Sequence, residues 1–166
     1  MTVTTTREEI YKERAEQYFK AVEGHTNGHI TDLDVFVAED VINHNPMSNS
    51  GVILEEEHGI EAFRRHAESI PTAFPDLWLD IQDRIAKNDR VVVRFVLSGT
   101  HDGPLMGIDP TGEKVTMSGI VIYHFDEGQI VERWGRRTSW DSSTRSARRP
   151  NRVEVVKGGR ARPESS

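Results

Sequence analysis

Four residues in this chain could move a proton or hold developing charge near neutral pH. They are His44 in Asn43-His44-Asn45-Pro46, His101 after the run Arg90–Thr100, and Tyr123 and Arg133 on either side of Asp126-Glu127-Gly128. Histidine is a general base whose ordinary pKa is about 6.5. His101, at the end of an apolar run, is placed to anchor a substrate carbonyl. Tyrosine can donate to an enolate oxygen, and arginine can hold a carboxylate or a forming anion. Each has a plainer alternative: a turn histidine bonded to local backbone, a strand-end residue, a core aromatic, and a polar cross-strand neighbour.

Positioning falls to the stretch Val115–Trp140, which reads as a β-hairpin. One strand alternates Val115, Met117, Gly119, Val121, Tyr123 and Phe125, and the return strand runs from Gln129 to about Ser139. Asp126-Glu127-Gly128 predicts a three-residue loop with glycine in the left-handed position and an adjacent bulge. Facing positions then sum to about 256, which sets Val121 against Gly135 and Tyr123 against Arg133, all four on one face. That face is expected to line a small-molecule pocket. Asn43, Phe95, Met117, Val121 and Gly135 are the expected contacts to the body of the ligand. Arg137 falls on the same face.

The preceding chain supplies helices. Thr4-Thr5-Thr6 before Arg7-Glu8-Glu9 predicts a helix start, and Tyr11, Ala15, Tyr18 and Val22 give it one apolar side ended by Gly24 and Gly28. Thr31 could cap a short second helix over Asp32–Val37, and Val41-Ile42 begins an extended piece. Pro46 holds Asn45 out of helical geometry, and Met47–Leu54 reads as a loop. Glu55-Glu56-Glu57 opens a third helix, with Ile60, Phe63, Ala67 and Ile70 inward and Pro71 and Pro75 closing it. Leu77, Leu79, Ile81 and Ile85 alternate as a strand. Asn88-Asp89 turns into Arg90–Thr100, where Val91, Val93, Phe95 and Leu97 share a face. Helices first and an antiparallel meander last is an α+β order, and a curled sheet only partly covered by helices leaves a site for a small ligand.

Composition narrows the classes. The 166 residues allow one domain plus tails, with 36% hydrophobic and 29% charged residues, as in a soluble globular protein. No apolar run approaches the ~20 residues that span a bilayer. The N-terminus has no apolar signal core, so export is not expected. There is no cysteine, which suits a cytoplasmic location. Net charge is −6, divided between +5 on residues 142–166 and −11 on the rest, and an acidic body is a poor nucleic-acid surface. Residues 1–6 are expected to be a flexible N-terminus, 7–141 the folded domain, and 142–166 a basic mobile tail.

Other motifs carry less. Asp80 and Asp83 could supply a carboxylate but read as solvated strand edges. Trp78, Trp134 and Trp140 fall on even positions of their strands, and Trp134, facing away from Arg133, is expected under the helices or at a dimer contact. His58 and His66, both expected on the third helix, do not match metal spacing, and His25 and His29 straddle Gly28. No metal or cofactor is expected.

The segments DLDVFVAEDVINHNP, GIEAFRRH, AFPDL, NDRVVVRFVLSGTHDGPLMGIDPTGEKV and SGIVIYHFDEGQIVERW, in this order, resemble the SnoaL-like polyketide cyclases of the nuclear-transport-factor-two-like superfamily. The resemblance spans about residues 7–140. It implies a cone-shaped α+β barrel, in which a curved antiparallel sheet and three N-terminal helices enclose a pocket, and a homodimer paired through the sheet. It also implies cofactor-independent lyase- or isomerase-type acid/base chemistry on a bulky apolar or aromatic carbonyl compound. The family's acid/base Asp follows the element matched by Val131-Glu132-Arg133-Trp134, where this chain has Gly135. The facing position, often Asp or His, is Val121. Neither residue can move a proton. Catalysis is therefore expected from His44, His101, Tyr123 and Arg133. The alternatives are a non-catalytic ligand-binding or accessory protein on the same scaffold, or an epoxide or ester hydrolase.

Overall fold

The computed structural model describes residues 4–24, 30–44, 56–105, 107–137 and 141–142. Helix α1 is Arg7–Glu23; Thr6 caps it by accepting the Glu9 N–H on Oγ1 at 3.2 Å, and Glu8 and Glu9 complement its dipole. Its buried stripe is the expected Tyr11, Ala15, Tyr18 and Val22, joined by Phe19. Helix α2 is a single turn, Leu33–Phe36, shorter than expected; Asp32, not Thr31, precedes it, with φ 58° and no side-chain cap bond. Strand β1 is Val37–His44.

The third helix departs from expectation at both ends. Glu56–His58 forms strand β2 against β1, so Glu56, Glu57 and His58 do not belong to a helix, and Glu55 lies outside the described residues. Helix α3 is Ile60–Ala73, with Pro71 inside its last turn and not beyond it. Then come β3 (Trp78–Lys87), β4 (Arg90–Thr100), β5 (Lys114–Asp126), β6 (Gln129–Arg137) and the short β7 (Asp141–Ser142).

The strands form one open sheet ordered β2-β1-β6-β5-β4-β3, with β7 beside β5. The sheet is not purely antiparallel, because β1 and β6 run parallel. In the β5–β6 hairpin Val121 faces Gly135 and Tyr123 faces Arg133, the expected register. The turn differs. Asp126 pairs with Gln129, so the loop has two residues, Glu127 (φ 48°) and Gly128 (φ 84°). Positive φ at both is the primed turn whose twist suits a hairpin. The bulge sits further along, where the register shifts between His124 and Phe125.

A second register shift, between Ile81 and Asp83 on β3, explains another departure. Leu79 faces Leu97 on the covered side, but past the shift Arg84 faces Val93 and Ile85 faces Val92. The alternation therefore flips, and Ile85 is exposed on the outer side. Val91, Val93, Phe95 and Leu97 are buried together as expected. Helix α1 lies over them, with Tyr11 stacked on Phe125 (4.9 Å between ring centres), Tyr18 edge-on to Tyr123 (5.7 Å) and Phe19 edge-on to Phe95 (5.3 Å). His25, His29, Asn45, Pro46, the loop Met47–Leu54, Trp140 and the tail from residue 143 lie outside the described residues.

Candidate functional site

The hollow between the sheet and helices α1 and α3 is a small cavity, partly open to solvent. Its walls are mostly apolar: Phe19, Val22, Ala67, Ile70, Leu79, Phe95, Leu97 and Val121. Its polar groups are Tyr18, His66, Tyr123, Arg133 and Arg137. No carboxylate lines it among the described residues.

Strand β6 turns Arg133 and Arg137 inward, and the parallel neighbour β1 turns Asn43 beside Arg133. Arg133 Nη1 donates to Asn43 Oδ1 at 3.0 Å, both residues being buried, while Asn43 Nδ2 finds no partner among the described residues. Glu57 pairs with Asn43 across β2–β1 and so shares this face; its Oε2 is buried and unbonded, and it forms no ion pair with either arginine.

Gly135 explains how Arg133 fits. A methyl group there would lie 2.7 Å from Arg133 Nη2 and 3.0 Å from Cζ, so the guanidinium lies over the glycine backbone. The arginine thus leans along β6 toward Arg137. Where the resemblance expects a carboxylate, this chain puts a cation.

Burial governs the titration of the remaining groups. It pushes the Tyr123 hydroxyl up to about 12, with Arg133 pulling the other way, and raises Tyr18 further. Burial and then repulsion from Arg133 draw the Arg137 guanidinium down to about 10. Burial, then the positive field of both arginines, holds His66 well below the ordinary histidine range. Its Nε2 is buried with no hydrogen-bond partner among the described residues.

Of the sequence-derived candidates, Tyr123, Arg133, Phe95 and Val121 line the cavity, and Gly135 lies beneath Arg133. Asn43 stands behind Arg133 and off the wall, and Met117 is buried in the core. The two expected histidines are elsewhere. His44 is on the outer face, stacked on Trp134 (4.5 Å between ring centres) and 3.2 Å from both Glu132 Oε1 and Glu56 Oε1. Alternation decides this, since Asn43 points inward and His44 must then point out. Trp134 accordingly packs on neither helix but between His44 and Arg90. His101 has left the strand and is fully buried in the loop after it. Its Nδ1 accepts the Thr111 N–H at 3.3 Å, and it does not line the cavity. Asp83 pairs with Arg94 and Asp80 with Gln82, away from the cavity.

Sequence reasoning missed His66 and gave Arg137 no role. His66 lies three residues after Phe63 and four before Ile70, both buried, which places it beside the inward stripe of α3.

The architecture, a curved open sheet coned over helices with a blind apolar hollow, defines a class of small α+β pocket proteins. Residues 12–137 match the SnoaL-like polyketide cyclase family, and the chain belongs to it. Solved structures agree in fold. A protein assigned as a SnoaL-like polyketide cyclase from Jannaschia sp. CCS1 superposes with TM-score 0.69 at 20% identity, covering 82% of this chain and 91% of the other. One assigned as a polyketide cyclase from Acidithiobacillus ferrooxidans gives 0.59 at 26% identity, covering 82% and 91%. IdmH from Streptomyces antibioticus, also assigned as a polyketide cyclase, gives 0.60 at 24% identity, covering 76% and 91%. No curated protein matches the sequence.

Proposed function

We propose that this protein is a cofactor-independent enzyme that removes a proton beside a carbonyl of a bulky, mostly apolar compound and so closes a ring. The observation that carries this is His66 Nε2, buried and unbonded at the wall of a cavity that also holds Arg133, Arg137 and Tyr123. As the tautomer with its proton on Nδ1, His66 offers a lone pair to a substrate C–H. The C–H electron pair becomes the enolate double bond, and the carbonyl oxygen takes the charge beside Arg133 and Tyr123. The enolate carbon then attacks a second carbonyl of the same molecule, and the new alkoxide recovers the proton from imidazolium. Burial, and then the field of the two arginines, makes His66 a weak base, but enolate charge growing beside it offsets that field.

The test is α-proton exchange of 2-tetralone in D2O, followed by NMR. Wild type is expected to accelerate exchange, and His66→Gln to slow it about 100-fold while changing affinity less than tenfold. Tight binding with no acceleration would instead support a ligand-binding protein, the reading that Val121 and Gly135 favour. Exchange unaffected by His66→Gln would remove the assigned base. A homodimer through the outer sheet face, where Trp78, Ile85 and Ile120 are exposed, and a cytoplasmic location belong to the same proposal; sedimentation checks the first.

A further inference from the structure

Two guanidinium groups reach one small cavity whose described lining has no carboxylate. Arg133 is held, by Asn43 at 3.0 Å and by the space above Gly135. Arg137 is not: it lines the cavity half-buried, and among the described residues it has no hydrogen bond or ion pair. Four residues separate the two on the strand, about 13 Å between backbones at ~3.3 Å per residue. The lean of Arg133 over Gly135 closes roughly half of that interval.

A partly desolvated cation without a counter-charge is unfavourable, and a second cation nearby adds to the cost. Folded proteins keep such groups where something else supplies the opposite charge. Glu57 does not, since it lies beyond Asn43 and pairs with neither arginine. The outer-face glutamates do not either, being on the other side of the sheet and already bonded to histidines. The neighbours that share the cavity are neutral at pH 7: His66 by burial and Tyr18 and Tyr123 by chemistry. The hollow therefore holds about two positive charges within an aromatic and aliphatic wall.

We infer that the natural ligand is a carboxylic acid, an apolar ring system bearing one carboxylate that lies against Arg137 with Arg133 alongside. Guanidinium matches a carboxylate with two parallel N–H···O bonds, and only one edge of the molecule then needs to be polar. Such an anion also weakens the field that keeps His66 uncharged, so the correct ligand strengthens the base that acts on it. This rests on the enolising reading above and names the class of its substrate.

The test compares 2-naphthoate with two neutral molecules of the same shape, methyl 2-naphthoate and 2-acetylnaphthalene, by titration calorimetry on the full chain. The acid is expected to bind at least tenfold tighter than either neutral compound. Arg137→Met is expected to abolish that preference. Arg137→Lys, which keeps the charge and loses the fork, is expected to fall between and guards against a Met variant that fails to fold. Neutral compounds binding as tightly as the acid would overturn the carboxylate inference and leave the enolising reading standing. Binding by none of the three would overturn both.

Discussion

The two faces of strand β6 treat charge in opposite ways. On the outer face, His124 Nδ1 lies 2.7 Å from Glu132 Oε2, and Glu132 Oε1 lies 3.2 Å from His44. His44 in turn reaches Glu56 at 3.2 Å, and His58 lies 3.1 Å from the same carboxylate. Every ionisable group in that chain has a partner. On the inner face, one residue away, Arg133 has only neutral partners, Asn43 and Tyr123, and among the described residues Arg137 forms no hydrogen bond or ion pair and His66 Nε2 is unbonded. A sheet whose outer charges are paired while its inner ones are not fits the carboxylate ligand inferred above. The contrast also corrects a natural misreading: His44, with its rich set of partners, lies on the face away from the cavity.

The sharpest way to break this comparison is at Gly135. In Gly135→Ala the new methyl would stand 2.7 Å from Arg133 Nη2, so the guanidinium must shift, and the expected result is that its bond to Asn43 is lost with the move. The expected outcome is a loss of carboxylate affinity of about 100-fold. Stability should also fall by about 1–3 kcal/mol, from leaving Asn43 Oδ1 buried and unbonded. Calorimetry with 2-naphthoate and urea unfolding measure the two. An alanine variant that binds like wild type would mean that Arg133 does not need the space above residue 135.

How far the sequence reached follows the range of the interactions. The hairpin was legible because its register depends on one turn, and Val121, Tyr123, Arg133 and Gly135 came with it. Even there, the exchange of a three-residue loop for a two-residue one was absorbed by the bulge at His124/Phe125. The packing of Phe95 followed from simple alternation. Asn43 was expected against the ligand and not as the residue that holds Arg133, because the parallel β1–β6 pairing spans some 90 positions and no local pattern encodes it. His44 and His101 were misplaced for the same kind of reason: one step of alternation, or one residue beyond a strand end, moves a side chain out of the site. His66 was read only against His58 as a metal pair, and the break at Gly59 that removes His58 from the helix was not seen. The apolar positions on either side of His66 were the available signal.

Acid should expose the next difference. His66 and His101 are both held below the ordinary range by burial, so between pH 6.5 and their folded values the unfolded chain binds more protons than the folded one. Stability is therefore expected to fall as pH drops below about 6.5, by up to about 1.4 kcal/mol per pH unit for each histidine. Urea unfolding at pH 7.5, 6.0 and 5.0 reads the slope, and His101→Gln should remove one histidine's share. A carboxylate ligand should lessen the remaining slope, because His66 beside an anion is easier to protonate. A slope that ignores both changes would place these protons elsewhere.

The smallest effect is expected on the outer face, and its smallness is the point. Glu132 is held below the ordinary carboxyl range mainly by its bond from His124, then by His44, with partial burial opposing both. Its contribution is thus present above about pH 4.5 and lost as pH falls through the lower folded value. The pairs are partly exposed, so Glu132→Gln should cost no more than about 1 kcal/mol at pH 7, and less in high salt. Affinity for 2-naphthoate should not change, since the side chain points away from the cavity on a strand whose inward residues are untouched. A tenfold loss of binding in this variant would mean that the two faces communicate through β6. The partnered chain outside would then belong to the site, and the separation of a settled face from a waiting one would have to be given up.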